Sequence, residues 1–157
     1  MSSNLKRALP AVLVVGLLVA GGIIALGRLM EDGESGPSPE RLALGRQVYG
    51  EQCAACHGAE LEGQPNWRQR GADGLLPGPP HDATGHTWHH PDEQLFFITK
   101  YGTAALAGAD YKTAMIGFGE VLGDEEIGAV LDFIKSRWPP DIRRRQADIT
   151  ARARKGN

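Results

Sequence analysis

The sequence predicts an all-α domain preceded by a single N-terminal transmembrane helix. Three observations carry this. Leu9 to Gly27 is apolar throughout and free of charge. Helix starts recur where Pro or Gly is followed by acidic residues, at Pro39-Glu40, Pro91-Asp92-Glu93 and Gly123-Asp124-Glu125-Glu126. Ile127, Val130, Leu131 and Ile134 step at i, i+3, i+4, i+7, which is one face of a helix. The chain divides into a signal anchor (1–30), a flexible linker (31–39), the main domain (40–139) and a basic C-terminal tail (140–157).

The anchor comes first. Nineteen residues at about 1.5 Å each reach roughly 28 Å, close to the hydrocarbon thickness of a bilayer. Lys6 and Arg7 precede the segment, and Glu31, Asp32 and Glu34 follow it. The positive-inside rule puts the N-terminus in the cytoplasm and the rest outside. Small residues from Ala20 to Gly27 would also suit a cleaved signal peptide. The apolar region of such a peptide is usually shorter, about 7–15 residues, so an uncleaved anchor is expected. Either way the domain is exported, on the periplasmic side of a bacterial inner membrane. Glu31 to Pro39 cannot bury a face and reads as a coil of roughly 15–18 Å.

Ser38-Pro39-Glu40 opens the first domain helix with an N-cap, a proline and an acid. Leu42, Gly45, Tyr49 and Cys53 follow at helical spacing and lead into Cys53-Ala54-Ala55-Cys56-His57. That pentapeptide is C-x-x-C-H, the signature of covalent haem attachment. On a helix, Cys53, Cys56 and His57 project from one face. Two thiols can then meet the two vinyl groups of one porphyrin edge while the imidazole reaches the iron. A redox dithiol would want a βαβ context. A zinc site built from both cysteines and two of His81, His86, His89 and His90 would leave His57 unexplained. No other cysteine exists, so no structural disulfide forms within the chain.

The segment GRQVYGEQCAACHG resembles the opening of a class I c-type cytochrome, and the resemblance covers roughly residues 40–138. It implies an all-α class I cytochrome c domain wrapped around one covalent haem c, with its iron. Cys53 and Cys56 would hold the porphyrin, and His57 would be the proximal ligand. Gly45 and Tyr49 would pack on the C-terminal helix against Val130 and Phe133. A proline carbonyl in the following loop would accept the axial histidine's Nδ1–H. Pro79 is the choice, with Pro80 beside it. Met115 would be the distal ligand, since Met1 and Met30 lie outside the domain. Tyr111 to Met115 is similar to the family's ligand loop, with Thr two residues before Met. Phe118-Gly119 fits its M-P-x-F-G pattern. Ile116 departs from it, standing where the family has a stiffening proline. Met115 as core filler, a histidine of the 81–90 cluster as distal ligand, and an iron left open remain the alternatives.

Residues 58–80 carry nine Gly or Pro and read as loop, with Trp67 over a haem edge or over the loop itself. His81, His86, His89 and His90 cluster around Trp88 and read as a polar flap. A second metal site shared by His86 and His89 is the sharper alternative. The helix from Pro91 would turn Leu95, Phe96 and Ile98 inward and end at Gly102. The last core helix would carry Lys135 and Arg137 in its final turn and stop at Pro139-Pro140. The tail from Asp141 onward offers a helical pattern through Ile142, Ile149 and the alanines, but reads as a solvated appendage, with charges that suit anionic lipid or an acidic partner.

Residues 31–140 carry eight Lys or Arg against seventeen Asp or Glu, a balance of −9. That charge argues against nucleic acid as a partner and suits a basic docking surface. Residues 141–157 carry six basic and two acidic side chains. No acid/base pair or nucleophile constellation points to a hydrolase or transferase. The expected function is one-electron transfer by a membrane-tethered periplasmic cytochrome with His/Met ligation. It would be a carrier rather than an enzyme, working between redox proteins of a respiratory or photosynthetic chain. The alternatives are a fixed haem c subunit of a respiratory oxidase or dehydrogenase complex, and a ligand-sensing or peroxidatic haem protein.

Overall fold

Ser38 starts the first helix as its side chain requires. Its backbone is extended, and its Oγ accepts the Arg41 N–H at 3.2 Å, which satisfies one of the free amides of the first turn. Pro39, with no N–H to lose, opens α1 (Pro39–Val48). The structure, a computed structural model, describes residues 36–156. The apolar segment 9–27 and most of the linker lie outside the described residues. Among the described residues no helix is long and apolar enough to cross a membrane.

The elements after α1 are a π turn (Tyr49–Cys53), α2 (Ala54–His57), a 3₁₀ turn (Thr87–His89), α3 (Asp92–Tyr101), α4 (Thr103–Ala107), α5 (Asp124–Ser136) and α6 (Pro140–Lys155). An isolated bridge between Gly102 and Ile116 is the only β pairing among the described residues. The main domain is helical, as the periodicity predicts.

The path into the C-x-x-C-H segment is not one uniform α-helix. The Ala54 N–H reaches back five residues to the Tyr49 carbonyl, so Tyr49 to Cys53 form one widened turn. The regular spacing read across Tyr49 and Cys53 therefore breaks at that point. Such single π turns insert one residue into a helix and re-aim the side chains that follow.

α1 packs against α5. Glu126 accepts the Gly123 N–H at 2.8 Å at the start of α5, and Ile127, Ala129, Val130, Leu131 and Ile134 form its buried face. A Cβ at Gly45 would collide with the Ala129 carbonyl and lie 2.8 Å from Phe133 Cβ, so only glycine allows this approach. The Tyr49 ring meets Phe133 with centroids 5.6 Å apart. Phe133 is thus the neighbour expected, while at Gly45 the close contact is Ala129 rather than Val130. Arg41 and Asp132 pair at 2.6 Å between the same two helices. The rest of the core comes from Val48, Leu61, Trp88, Leu95, Leu122 and Trp138.

The expectation of a solvated tail is overturned. Residues 140–155 form α6, and its buried positions are Gln146 and Thr150. Gln146 Nε2 donates to Asp92 Oδ1 at 2.8 Å and reaches the His90 carbonyl at 3.2 Å. Thr150 Oγ1 accepts the Asp92 N–H at 3.1 Å, which serves one of the free amides at the start of α3. Arg154 pairs with Glu93 at 2.6 Å, and the Arg145 guanidinium lies 4.9 Å from the Trp88 ring. The helix docks mainly through polar side chains, with Ile142 packed against the core beside them.

Candidate haem-binding site

His57, the last residue of α2, is buried. Its Nδ1 lies 2.8 Å from the Pro79 carbonyl oxygen. A carbonyl can only accept, so Nδ1 carries the hydrogen and Nε2 keeps its lone pair. Burial pulls the His57 pKa below its ordinary value, and the Pro79 bond opposes this only in part. Burial thus favours the neutral ring, the form in which imidazole binds iron. Cys53 and Cys56 are both free thiols. Burial, and then the neighbouring Cys56, push the Cys53 thiol up to about 11. Cys56 is exposed. Two unpaired thiols and one neutral imidazole with a free nitrogen, supplied within five residues, fit a covalently attached iron porphyrin.

The loop after His57 is held by a dense set of bonds. Gly58 ends α2 with a φ of 80°, a left-handed value that suits glycine. Tyr49 Oη donates to the Gly58 carbonyl at 2.8 Å, and burial pushes its phenol well above the ordinary value. The Gly63 N–H returns to the His57 carbonyl at 2.8 Å. Gln64 and Gly78 bond twice: the Gln64 N–H donates to the Gly78 carbonyl at 2.9 Å, and the Gly78 N–H donates to Gln64 Oε1 at 2.7 Å. A Cβ at Gly78 would collide with the Cys56 carbonyl. The segment that supplies Pro79 is thereby laid directly on the cysteine-bearing turn.

His81 belongs to this site and not to the surface cluster. Its ring stacks on His57, with centroids 4.0 Å apart and planes at 22°. A ring lying face to face with His57 is not placed opposite it, so the reading of His81 as distal ligand falls. Burial and the adjacent His57 and His86 rings hold His81 far below its ordinary pKa. The remaining histidines are engaged elsewhere. His86 stacks on Trp67 at 5.3 Å and meets His90 edge-on at 5.7 Å, while His89 lies over Trp88 at 3.7 Å. Trp67 therefore covers its own loop side against His86. Among the described residues no group of three or more His, Cys, Asp or Glu is placed to hold a metal ion, so neither the zinc reading nor the His86/His89 site is assembled.

Met115 sits partly buried in a loop pinned to the end of α3. Its N–H donates to Thr113 Oγ1 at 3.0 Å, and its carbonyl accepts the Thr103 N–H at 3.3 Å. The Phe118 N–H donates to the Thr99 carbonyl at 3.0 Å, and the Gly119 N–H to the Lys100 carbonyl at 2.9 Å. These bonds stiffen the loop where Ile116 replaces the family's proline. Ile116, next to Met115, is 69 % exposed.

Sequence patterns register neither the His81 stack nor the Gln146 dock, nor the π turn at Tyr49. His81 follows Pro79-Pro80 directly, and the rigidity of that dipeptide was the available signal. The cytochrome c family model matches residues 42–138, well over half of the chain. A nitrite reductase of Stutzerimonas stutzeri is 27 % identical over 146 residues, 89 % of this chain and 22 % of its own. The chain thus spans about a fifth of that relative's length. No solved structure matches.

Proposed function

The chain belongs to the cytochrome c family, and on that premise we propose that it is a membrane-tethered periplasmic carrier of single electrons. In this reading the iron of its one haem c is held by His57 and Met115. Bound haem supplies a one-electron iron couple. The chain's own residues do the rest. Cys53 and Cys56 fix the porphyrin edge. His57 presents Nε2, with its ring orientation set by Pro79. The pinned 113–119 loop presents Met115, whose thioether favours the reduced iron. The Tyr49–Phe133 and Gly45–Ala129 packing holds the cysteine-bearing turn on α5 and keeps water from one side of the site.

The observation that carries the reading is the 2.8 Å bond from His57 Nδ1 to Pro79, which leaves the other ring nitrogen with a lone pair to offer a metal. The tether rests on the charge-free run from Leu9 to Gly27 and the basic residues before it. Transfer between redox proteins of a respiratory or photosynthetic chain is supported by the cytochrome c family match and by the −9 charge balance of residues 31–140, which suits a basic docking surface. The test is expression with a haem-ligation system, followed by fractionation and potentiometric titration. The account expects the haem in the membrane fraction, released only by detergent, and a single one-electron wave.

The likeness to a nitrite reductase supports a second reading, a haem c module that feeds electrons into a larger oxidoreductase. Purification of the chain alone, against purification only with other subunits, separates the two.

A further inference from the structure

We propose that His81 is a positioning residue for the axial imidazole: its stacked ring fixes the plane of His57 and keeps water from the His57–Pro79 bond. The inference rests on the reading of His57 as an iron ligand. His81 is not loosely placed. Its N–H donates to the Leu61 carbonyl at 2.8 Å, and Leu61 is itself fully buried. Its carbonyl accepts the Trp138 Nε1–H at 2.6 Å, and Trp138 closes the far end of α5. Its ring Nδ1 is 2.7 Å from Thr87 Oγ1, and Thr87 is buried in the 3₁₀ turn. The residue is thus fixed by the loop, by Trp138 just past α5 and by the 3₁₀ turn, and its ring presents a flat face to His57 at 4.0 Å.

The consequence follows from rotation. One hydrogen bond to Pro79 leaves the His57 ring free to rock about the bond axis. A second planar ring stacked at van der Waals distance removes that freedom, because rocking would drive the two rings together. The same ring fills space that water would otherwise occupy beside Nδ1. Drier surroundings disfavour the more highly charged ferric iron, so the stack raises the reduction potential. A merely structural His81 would affect stability and leave the iron's electronics alone.

The test uses the full haem-loaded chain. His81→Ala removes the stack, His81→Phe keeps a flat ring without the Thr87 bond, and Thr87→Val frees the ring but leaves it in place. The potential and the spread of the hyperfine-shifted haem methyl resonances in the ferric state are read for each. His81→Ala is expected to shift the oxidation equilibrium about three- to tenfold toward ferric, ~30–59 mV for one electron, and to change the methyl spread. His81→Phe is expected to restore both most of the way, and Thr87→Val to move them in the same direction by less. If His81→Ala does not load haem, Thr87→Val against wild type decides alone. Unchanged potential and methyl spread in whichever variants load haem overturn the proposal. Failure of the underlying ligation would look different. The wild type would then lack the hyperfine-shifted ring protons of an iron-bound histidine, whatever stands at position 81.

Discussion

Gly78 lies so close to Cys56 that a methyl group on its Cα would collide with the Cys56 carbonyl. This contact seats the loop that carries Pro79 on the turn that carries both thiols. Gly78→Ala must therefore lift the loop or strain the turn. The expected loss is about 1–3 kcal/mol of stability in urea unfolding. Gly50→Ala is the control, because a Cβ there meets nothing within 4 Å. Equal effects of the two substitutions would contradict the seating.

Burial holds both His57 and His81 below the ordinary histidine value, which is near 6.5. Below about pH 6.5 the unfolded chain binds protons that the folded chain refuses. Stability of the haem-free chain must then rise toward neutral pH and fall as pH drops through 6.5. The slope is bounded at about 1.4 kcal/mol per pH unit for each group. Denaturant midpoints between pH 5 and 8 check this, and His81→Phe should flatten the slope. A flat wild-type profile would contradict the burial argument.

With its pKa pushed up to about 11, the Cys53 thiol is almost wholly protonated at neutral pH. Only the thiolate attacks an alkylating agent. In the folded haem-free chain Cys53 should react roughly a hundredfold more slowly than an ordinary thiol. Peptide mass mapping of a timed iodoacetamide reaction at pH 8 should find Cys56 modified first. Equal rates would show that Cys53 is not sheltered.

Gln146 is buried and bonds Asp92 at 2.8 Å. Gln146→Ala should remove that bond and open a gap between α6 and α3, lowering stability by about 1–3 kcal/mol. Deletion of residues 140–157 should cost at least as much. A free tail would leave the unfolding midpoint unchanged in both.

The helices of the main domain were legible because their starts and buried faces are written in short-range signals. Ser38-Pro39, Asp92-Glu93 and the Ile127 to Ile134 face need only local rules. Cys53, Cys56 and His57 were legible because one chemistry demands that spacing. The π turn at Tyr49 was not, since nothing in residue type distinguishes a five-back hydrogen bond from a four-back one. The α6 dock was hidden for another reason. Its buried positions are Gln146 and Thr150, residues that usually face water and reveal their partners only in three dimensions. His81 was read with its histidine neighbours, and only the loop path through Leu61 and Trp138 separates it from them.

The ferric optical spectrum, followed by carbon monoxide addition to the reduced protein, tests the ligation most directly. The account predicts the long-wavelength charge-transfer band of a sulfur–iron bond in the wild type and no reaction with carbon monoxide. In Met115→Ala the band should be lost and carbon monoxide should bind at once. A wild type without that band, whose reduced iron takes up carbon monoxide freely, would contradict Met115 as ligand and with it the assignment as an electron carrier.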